Sequence, residues 1–309
     1  MKNTKHKKMR KPVFLFIAIS LIYISNTEAQ QISSYQMFHM NQYLQSPAAA
    51  GTKPYVFLST SYMQNWSGIK GAPNVQSVSV HSLISERVGL GGKMFYENTG
   101  LSGQFGAEIT YAYHIPIGSG GTKLSLGLSG ILSQYSLHKD EFIIADADDE
   151  AINNAENDII VPDAAFGFSI YKPNKFFINY GAYQLLNRQV NFLNNDNIDN
   201  LRVRHHFLNA GCFFAAGEKL KLEPSVMLKL NEKGIFQADL GIKSIIADLL
   251  ALGVYYRTGE AVLPFIGVDT KHLVFGYSYG IILGDIKNYS VGSHEIMLIL
   301  KINNSKSDL

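Results

Sequence analysis

The sequence predicts an all-β fold, a transmembrane antiparallel β-barrel of about fourteen strands, on the basis of three observations. From Pro54 onward, the chain divides into segments of roughly ten residues in which apolar and polar side chains alternate. Long connections, such as NWSGIKGAP and ENTGLS, alternate with short ones, such as SER and KPN, as expected when longer external loops and short periplasmic turns lie at opposite ends of a barrel. After the first thirty residues, no window of about 18 apolar residues predicts a helical span.

Residues 1–29 have the three parts of a cleaved signal peptide. Six basic residues precede an apolar stretch at residues 13–24, and small polar residues follow up to Ala29. Because this stretch is shorter than the ~20 residues that a membrane helix needs, we expect cleavage after Ala29 rather than an anchor. Removing six of 27 basic and one of 25 acidic residues leaves 21 and 24, a net charge of −3. The basic character therefore belongs to the signal, and we expect no nucleic-acid partner.

Residues 30–53 form an N-terminal segment that differs from the strands. The segment is polar and aromatic, carries little charge and includes a Pro-Ala-Ala-Ala-Gly run near its end. A periplasmic tail, a plug and a strand-like insert in the lumen are all compatible with this composition. Because Tyr35, Phe38, Tyr43 and Leu44 are too apolar for a free tail, we expect the segment to pack inside or beneath the barrel.

Residues 54–302 are predicted to form the barrel, and residues 303–309 a C-terminal tail. A single cysteine, Cys212, excludes a disulfide framework, so the fold must depend on hydrogen bonding and packing. Seventeen Tyr, 18 Phe and 27 Gly favour strands and turns. The expected strands begin near Tyr55, Asn74, Val88, Gly103, Lys123, Ala164, Lys175, Val203, Lys219, Ile235, Leu250, Val262, His272 and Ser293.

Alternation also predicts which side chains face the lumen. In the last strand, SVGSHEIMLILKI, Leu298 and Leu300 indicate a lipid-facing row that begins near His294, which places Glu295 and Lys301 in the lumen. The His-Glu pair is not a zinc motif, because H-E-x-x-H requires a second histidine where Leu298 stands. Other expected lumen residues are Gln104, Glu108, His114, Gln237, Asp239 and Lys243.

The acidic run at residues 146–158 lies in a predicted external loop. Asp146, Asp148, Asp149 and their neighbours place oxygen atoms as calcium loops do, but the run lacks the D-x-D-x-D-G spacing and the terminal glutamate. A solvated external loop is the favoured interpretation, and a calcium site is the alternative.

The stretch RVRHHF, which contains Arg202 and Arg204, begins the predicted eighth strand. Its adjacent histidines must point to opposite faces of a strand and cannot chelate one metal together. A charged rim that faces lipopolysaccharide or a protein partner is the favoured interpretation.

No catalytic constellation or cofactor motif is apparent in the sequence. There is no G-x-S-x-G elbow, and the glycines of VGLGGK and GLSG form no phosphate loop. Glycines within strands mark close packing or barrel bends. We therefore expect a scaffold that is not an enzyme and has no cofactor.

The sequence resembles the PorP/SprF family of outer-membrane proteins, which is associated with type IX secretion and gliding motility in Bacteroidetes. The resemblance rests on ordered blocks along nearly the whole mature chain: SSYQMFHMNQYLQSPAAAGT, NWSGIKGAPNVQSVSVH, KLSLGLSGILSQYSL, VPDAAFGF, FGYSYGI and GSHEIML. Two positions depart from the family pattern: Ser46 stands before Pro47 in place of Asn, and Asn74-Val75 replaces the usual Lys/Thr pair.

The resemblance implies a barrel without enzymatic activity that works with other type IX components in secretion or surface anchoring of an adhesin-like cargo. The cargo's C-terminal domain would bind external loops 133–163 and 187–202 and a rim, while outer-membrane lipid surrounds the apolar belt. The alternatives are an outer-membrane channel or hydrophobic-solute transporter, an outer-membrane hydrolase and a soluble secreted β-protein. The candidate partner-binding residues of the rim and loops are Trp66, Gly68, Ile69, Gly71, Ala72, Pro73, Asp146, Asp148, Asp149, Arg202 and Arg204.

Overall fold

A computed structural model describes residues 32, 34–138, 158–188, 190, 192 and 202–303. Within them the strands are β1 (Tyr55–Gln64), β2 (Asn74–Leu83), β3 (Val88–Thr99), β4 (Ser102–Ile117), β5 (Thr122–Leu137), β6 (Asp158–Lys172), β7 (Phe176–Tyr183), β8 (His205–Cys212), β9 (Phe214–Ala215), β10 (Leu220–Asn231), β11 (Phe236–Ile246), β12 (Leu250–Arg257), β13 (Ala261–Asp269), β14 (Leu273–Ile282) and β15 (Ser293–Asn303). Short 3-10 turns occur at Gln42–Leu44, Pro47–Ala49 and Asp285–Asn288. Among the described residues, no helix is both long and apolar enough to cross a membrane.

The strands form a single closed antiparallel sheet. Each strand pairs with its neighbours in sequence, and β1 also pairs with β15, with Tyr55 opposite Asn303 and Gln64 opposite His294. The short β9 continues β8 along β10 after an interruption at Phe213. The described chain is therefore a fourteen-stranded barrel, which confirms the predicted fold class, and closure leaves no unpaired edge.

The two faces of the wall follow the predicted alternation. In β4, Glu108 and His114 are buried inside, whereas Ile109 points outward and is 76% exposed. In β15, Glu295 is fully buried inside and Leu300 lies on the outer surface. The outer surface is a continuous band of exposed apolar side chains, the arrangement that lipid contact requires.

The long connections share one end of the barrel, which we call the long-loop end. They comprise residues 65–73, 138–157, 184–204 and 283–292. The opposite, short-turn end has only connections of three or four residues, at residues 84–87, 118–121, 173–175, 216–219, 247–249 and 270–272. The sorting of loops predicted from the sequence is confirmed, although short turns at residues 100–101, 232–235 and 258–260 also lie at the long-loop end.

Two predicted loop boundaries are wrong. The β6 strand begins at Asp158 rather than Ala164, because residues 158–163 continue the pairing with β5 in spite of Pro162. The loop expected at residues 133–163 is therefore limited to residues 138–157. The ENTGLS connection, expected to be long, is only a turn at residues 100–101, because β3 and β4 pair as far as Thr99 and Ser102.

Candidate functional site: an occupied lumen beneath a rim of long loops

Residues 34–53 pass through the lumen of the barrel, and we call them the lumen segment. The segment begins near the long-loop end, where the backbone N–H groups of Gln36 and Met37 donate to Glu295 at the start of β15. It ends near the short-turn end, where Ala50 and Gly51 pack against Gly89 at the start of β3. The segment therefore spans the barrel between its two ends before the chain enters β1.

Charged side chains of the wall hold the first part of the lumen segment. The fully buried Glu295 accepts hydrogen bonds from the N–H groups of Gln36 at 2.5 Å and Met37 at 2.9 Å through Oε2. On β12, Arg257 donates through Nη2 both to the Tyr35 carbonyl at 3.1 Å and to Asp239 Oδ2 at 2.9 Å. Charge-assisted bonds in a buried site are stronger than neutral ones, so they fix the segment to the wall.

Lys229 of β10 binds the beginning of the lumen segment. Its Nζ donates to the Ile32 carbonyl and to Ser34 Oγ. The Ile32 N–H donates in turn to His205 Nε2 at 3.4 Å. Backbone groups that have no partner in a sheet are thus satisfied by side chains of the wall.

The middle of the lumen segment is hydrogen-bonded to inward-facing hydroxyl groups. Asn41 Nδ2 donates to Ser59 Oγ at 2.6 Å and to Ser79 Oγ at 3.0 Å. The Tyr43 hydroxyl lies 2.7 Å from Thr110 Oγ1. Serines occupy alternate inward positions of β1 and β2, so the inner faces of these two strands are polar where the segment packs against them.

Inward-facing glycines allow the lumen segment to approach the wall closely. A Cβ atom at Gly181 would lie 2.0 Å from the Gln45 carbonyl oxygen, and one at Gly127 would lie 2.4 Å from Ala48 N. A Cβ atom at Gly89 would lie 2.4 Å from the Ala50 carbonyl oxygen. The sequence-based interpretation that VGLGGK and GLSG mark close packing is confirmed at Gly89 and Gly127.

The lumen segment separates two cavities. The cavity at the long-loop end has a volume of about 310 Å³, and its lining includes the segment and strands β2 to β8. The cavity at the short-turn end has a volume of about 220 Å³ and contains Lys53, Glu223, Lys243, Asp269 and Lys301 in its lining. Neither volume belongs to an unobstructed channel, because buried residues of the segment lie between them.

The candidate rim residues of the first long connection differ in exposure, and their role in partner binding stays a prediction. Gly68 and Gly71 are exposed, and Trp66, Ile69 and Pro73 are partly exposed; all five belong to the connection at residues 65–73. This connection is fixed on both sides. Its Ser67 exchanges backbone hydrogen bonds with the connection at residues 283–292, and the Gly71 carbonyl accepts from Gly100.

Two candidate contact residues are buried, which corrects the prediction that they face a partner. Ala72 is 8% exposed. Arg202 is 9% exposed, because its guanidinium turns into the lumen, where it lies 3.4 Å from Asp163 Oδ2 and 4.7 Å from the centre of the Tyr135 ring. Arg204 remains accessible and forms an ion pair with Glu232 at 2.9 Å.

The adjacent histidines occupy opposite faces, as the sequence predicts. His205 is buried inside, and His206 faces outward and lies 2.8 Å from the Tyr180 hydroxyl through Nδ1. Within the described residues, no three His, Cys, Asp or Glu side chains are grouped to hold a metal ion. The calcium interpretation concerned Asp146, Asp148 and Asp149, which lie outside the described residues.

Sequence reasoning did not identify Lys229 and Arg257, which hold the lumen segment. Each lies at an inward position of its strand, and the residues on either side of it in the sequence include outward-facing apolar ones. The alternating pattern could therefore have placed both side chains in the lumen. Both donate to backbone carbonyl groups, Lys229 to that of Ile32 and Arg257 to that of Tyr35, and no residue type marks a carbonyl acceptor.

Comparison with known proteins identifies the family. Among solved structures, one similar chain is a Pseudomonas aeruginosa FadL homologue, with a TM-score of 0.49 and 8% identity over 84% of this chain and 92% of that one. Another is Acinetobacter baumannii Omp33, with a TM-score of 0.44 and 7% identity over 82% of this chain and 100% of that one. The KdgM porin is also similar, with a TM-score of 0.41 and 7% identity over 80% of this chain and 99% of that one. A comparison with curated proteins found no match. The model of the family "Type IX secretion system membrane protein PorP/SprF" matches residues 27–300, and the chain therefore belongs to this family of outer-membrane barrels.

Proposed function

We propose that this type IX secretion component supports secretion or surface anchoring of a specific, adhesin-like cargo protein, and through it gliding motility. The cargo's C-terminal domain binds the long-loop end, while the apolar belt holds the complex in the outer membrane. The observation that carries the proposal is the occupied lumen: because residues 34–53 cross the barrel and separate its two cavities, an external partner meets the long-loop end and not an open channel.

The rim supports this proposal by its construction. The connection at residues 65–73 is hydrogen-bonded to the connection at residues 283–292 and to the turn at residues 100–101, so its exposed residues are held in place. Tyr289 and Val291, in the same rim, are 78% and 69% exposed. A fixed surface with exposed aromatic and aliphatic side chains is suited to protein binding, because little conformational entropy is lost on association.

The alternative function, a channel or hydrophobic-solute transporter, requires the lumen segment to move. Its contacts with Glu295, Arg257 and Lys229 would have to break for a solute to cross between the two cavities. The structure thus supports a scaffold more than a pore, and conductance of the purified chain in planar bilayers separates the two functions.

Cargo retention in cells tests the proposed function. The native gene is replaced by a version in which residues 139–157 are shortened to a Gly-Ser linker, which spares the paired ends of β5 and β6. We expect a large secreted protein to pass from the cell surface into the medium, measured by quantitative mass spectrometry of both fractions. A matched control carries Lys271→Glu at the short-turn end, where we expect no release. Unchanged retention in the shortened variant would contradict the proposal.

Export by the predicted signal is part of the same proposal. Residues 1–29 direct export of the chain and are removed after Ala29. Mass spectrometry of the N-terminal peptide from purified outer membranes should identify a chain that begins at Gln30. A peptide that retains residues 13–24 would contradict cleavage.

A further inference from the structure

The lining of the cavity at the long-loop end combines apolar and aromatic side chains with polar and charged ones. Its volume of about 310 Å³ is near the lower limit of pockets that hold organic ligands. The floor consists of the lumen segment, including Leu44 and Gln45, and the cavity reaches residues at the upper ends of β3 and β4. Aromatic and aliphatic lining residues include Tyr35, Phe95, Ile131, Tyr135, Tyr183 and Phe207.

Three residues of this lining, Gln45, Tyr135 and Tyr183, have buried polar groups without a hydrogen-bond partner among the described residues. Gln45 is 5% exposed, and neither its amide nitrogen nor its amide oxygen has a partner. Tyr183 is 6% exposed, and its hydroxyl also lacks one. Because an unsatisfied buried polar group is costly, native structures rarely keep one without a water, an ion or a ligand to complete it.

Four of the five charged side chains of the cavity form two ion pairs, and the fifth, Glu97, is not free either. Lys93 Nζ lies 2.7 Å from Glu108, and Arg202 lies 3.4 Å from Asp163. Because the charges within each pair neutralise each other, the cavity is not suited to a ligand that binds through a net charge. What remains to be satisfied among the described residues of the lining is one neutral donor and acceptor pair at Gln45 and the hydroxyl groups of Tyr135 and Tyr183, beside apolar and aromatic side chains. A peptide group provides the complementary acceptor and donor, and its neighbouring side chain provides the apolar surface.

We propose that the cavity binds an extended peptide segment that carries an apolar or aromatic side chain. The Gln45 amide pairs with a peptide group, the Tyr183 hydroxyl binds a second backbone group, and the side chain fills the space beside Phe95 and Phe207. This inference rests on the proposed function for the source of the peptide, which is a segment of the cargo bound at the rim. Residue Gln45 belongs to the lumen segment, so binding makes the segment part of the recognition surface.

Ligand-observed saturation-transfer NMR tests the proposal directly. The full mature chain in lipid nanodiscs is mixed with the capped tripeptide acetyl-Gly-Phe-Gly-amide, and transfer to the phenylalanine ring is followed against peptide concentration. We expect saturable binding that is about tenfold weaker in Gln45→Leu, because hydrogen bonds in a buried site are lost. Tyr183→Phe should weaken binding as well, while preserving the ring that Lys93 faces at 5.0 Å.

Gln36→Leu is the matched control. Gln36 is 1% exposed, belongs to the same lumen segment and also has an unpartnered amide, but it does not line this cavity. We expect the affinity of this variant for the tripeptide to equal that of the wild type. Equal weakening by Gln36→Leu and Gln45→Leu would indicate a general disturbance of the segment and overturn the proposal.

Other outcomes also decide the question. Maltotriose that binds with the same dependence on Gln45 would assign the site to saccharides, and absence of tripeptide binding to the wild type would refute a peptide site. Cargo retention distinguishes this failure from failure of the proposed function. If the cavity binds no peptide but shortening residues 139–157 still releases cargo, the anchoring function stands and only the peptide site is wrong.

Discussion

Replacement of Glu295 by leucine should release the beginning of the lumen segment from the wall. The substitution removes the acceptor of the N–H groups of Gln36 and Met37, which lie 2.5 and 2.9 Å from the carboxylate. Leaving a buried donor unpaired costs about 1–3 kcal/mol, so two donors lose about 2–6 kcal/mol. Removal of a buried carboxylate recovers part of this cost, because the carboxylate no longer has to be desolvated. We expect a net loss of about 2–4 kcal/mol in the free energy of local opening.

Hydrogen-exchange mass spectrometry of the chain in nanodiscs measures this loss. Since about 1.4 kcal/mol corresponds to a tenfold change, the amides of Gln36 and Met37 should exchange roughly 30-fold faster or more in Glu295→Leu. Glu295→Gln retains a neutral acceptor and should have a smaller effect.

The matched control for this prediction is Glu232→Leu. Glu232 is a partly exposed rim residue that pairs with Arg204 and does not contact the lumen segment, so exchange at residues 36–37 should remain unchanged. Equal exchange in Glu295→Leu and wild type would refute the reasoning, because the segment would then be held by something other than this carboxylate.

Two further substitutions test the packing of the inner and outer faces. Gly181→Val places a Cβ atom 2.0 Å from the Gln45 carbonyl oxygen and should lower stability by about 1–3 kcal/mol, seen as a lower unfolding temperature on heated gels. Gly130→Val, whose Cβ atom would have no neighbour within 4 Å, should be neutral; equal effects would contradict close packing of the lumen segment. Ile109→Arg on the outer face of β4 should cost about 2–4 kcal/mol in urea titrations of the chain folded in phospholipid vesicles. Tyr289→Arg, at an equally exposed rim residue, should have little effect; a similar cost at both positions would contradict the assignment of a lipid-facing belt.

The barrel could be predicted from sequence because its wall obeys a simple rule. Each strand has to present apolar side chains to lipid, so apolar and polar residues alternate clearly in strands such as β4 and β15. This alternation predicts most strand starts to within two residues. The start of β6 was misplaced because Pro162 and Asp163 are typical of loops, whereas both lie within pairing to β5. Pairing partners, which the local pattern does not contain, determine where that strand begins.

The candidate site was harder to predict than the wall. Apolar residues of the N-terminal segment indicated packing, but its direction through the lumen depends on distant contacts with Glu295 and Arg257. Arg202 was expected at the rim because it belongs to a basic stretch, yet its guanidinium pairs with Asp163 inside. A charged side chain in a loop beside a polar lumen can turn inward to pair with a buried carboxylate. Asp163 is far from Arg202 in the sequence, so the residues around Arg202 do not reveal this pairing.

A disulfide lock on the lumen segment tests the central claim most directly: that the protein acts through its long-loop end while its lumen stays occupied. A Cβ atom at Gly167 would lie 2.7 Å from Ser46 Oγ and 2.8 Å from the Tyr180 carbonyl oxygen. With a small local shift of the backbone, Ser46→Cys and Gly167→Cys should form a disulfide after export, and the reduced double variant is the control for that shift. The account predicts that oxidised cells of this double variant retain their cargo as well as reduced cells and as either single variant. Loss of cargo on oxidation, with recovery on reduction, would contradict it by showing that the segment must leave the lumen for the protein to work.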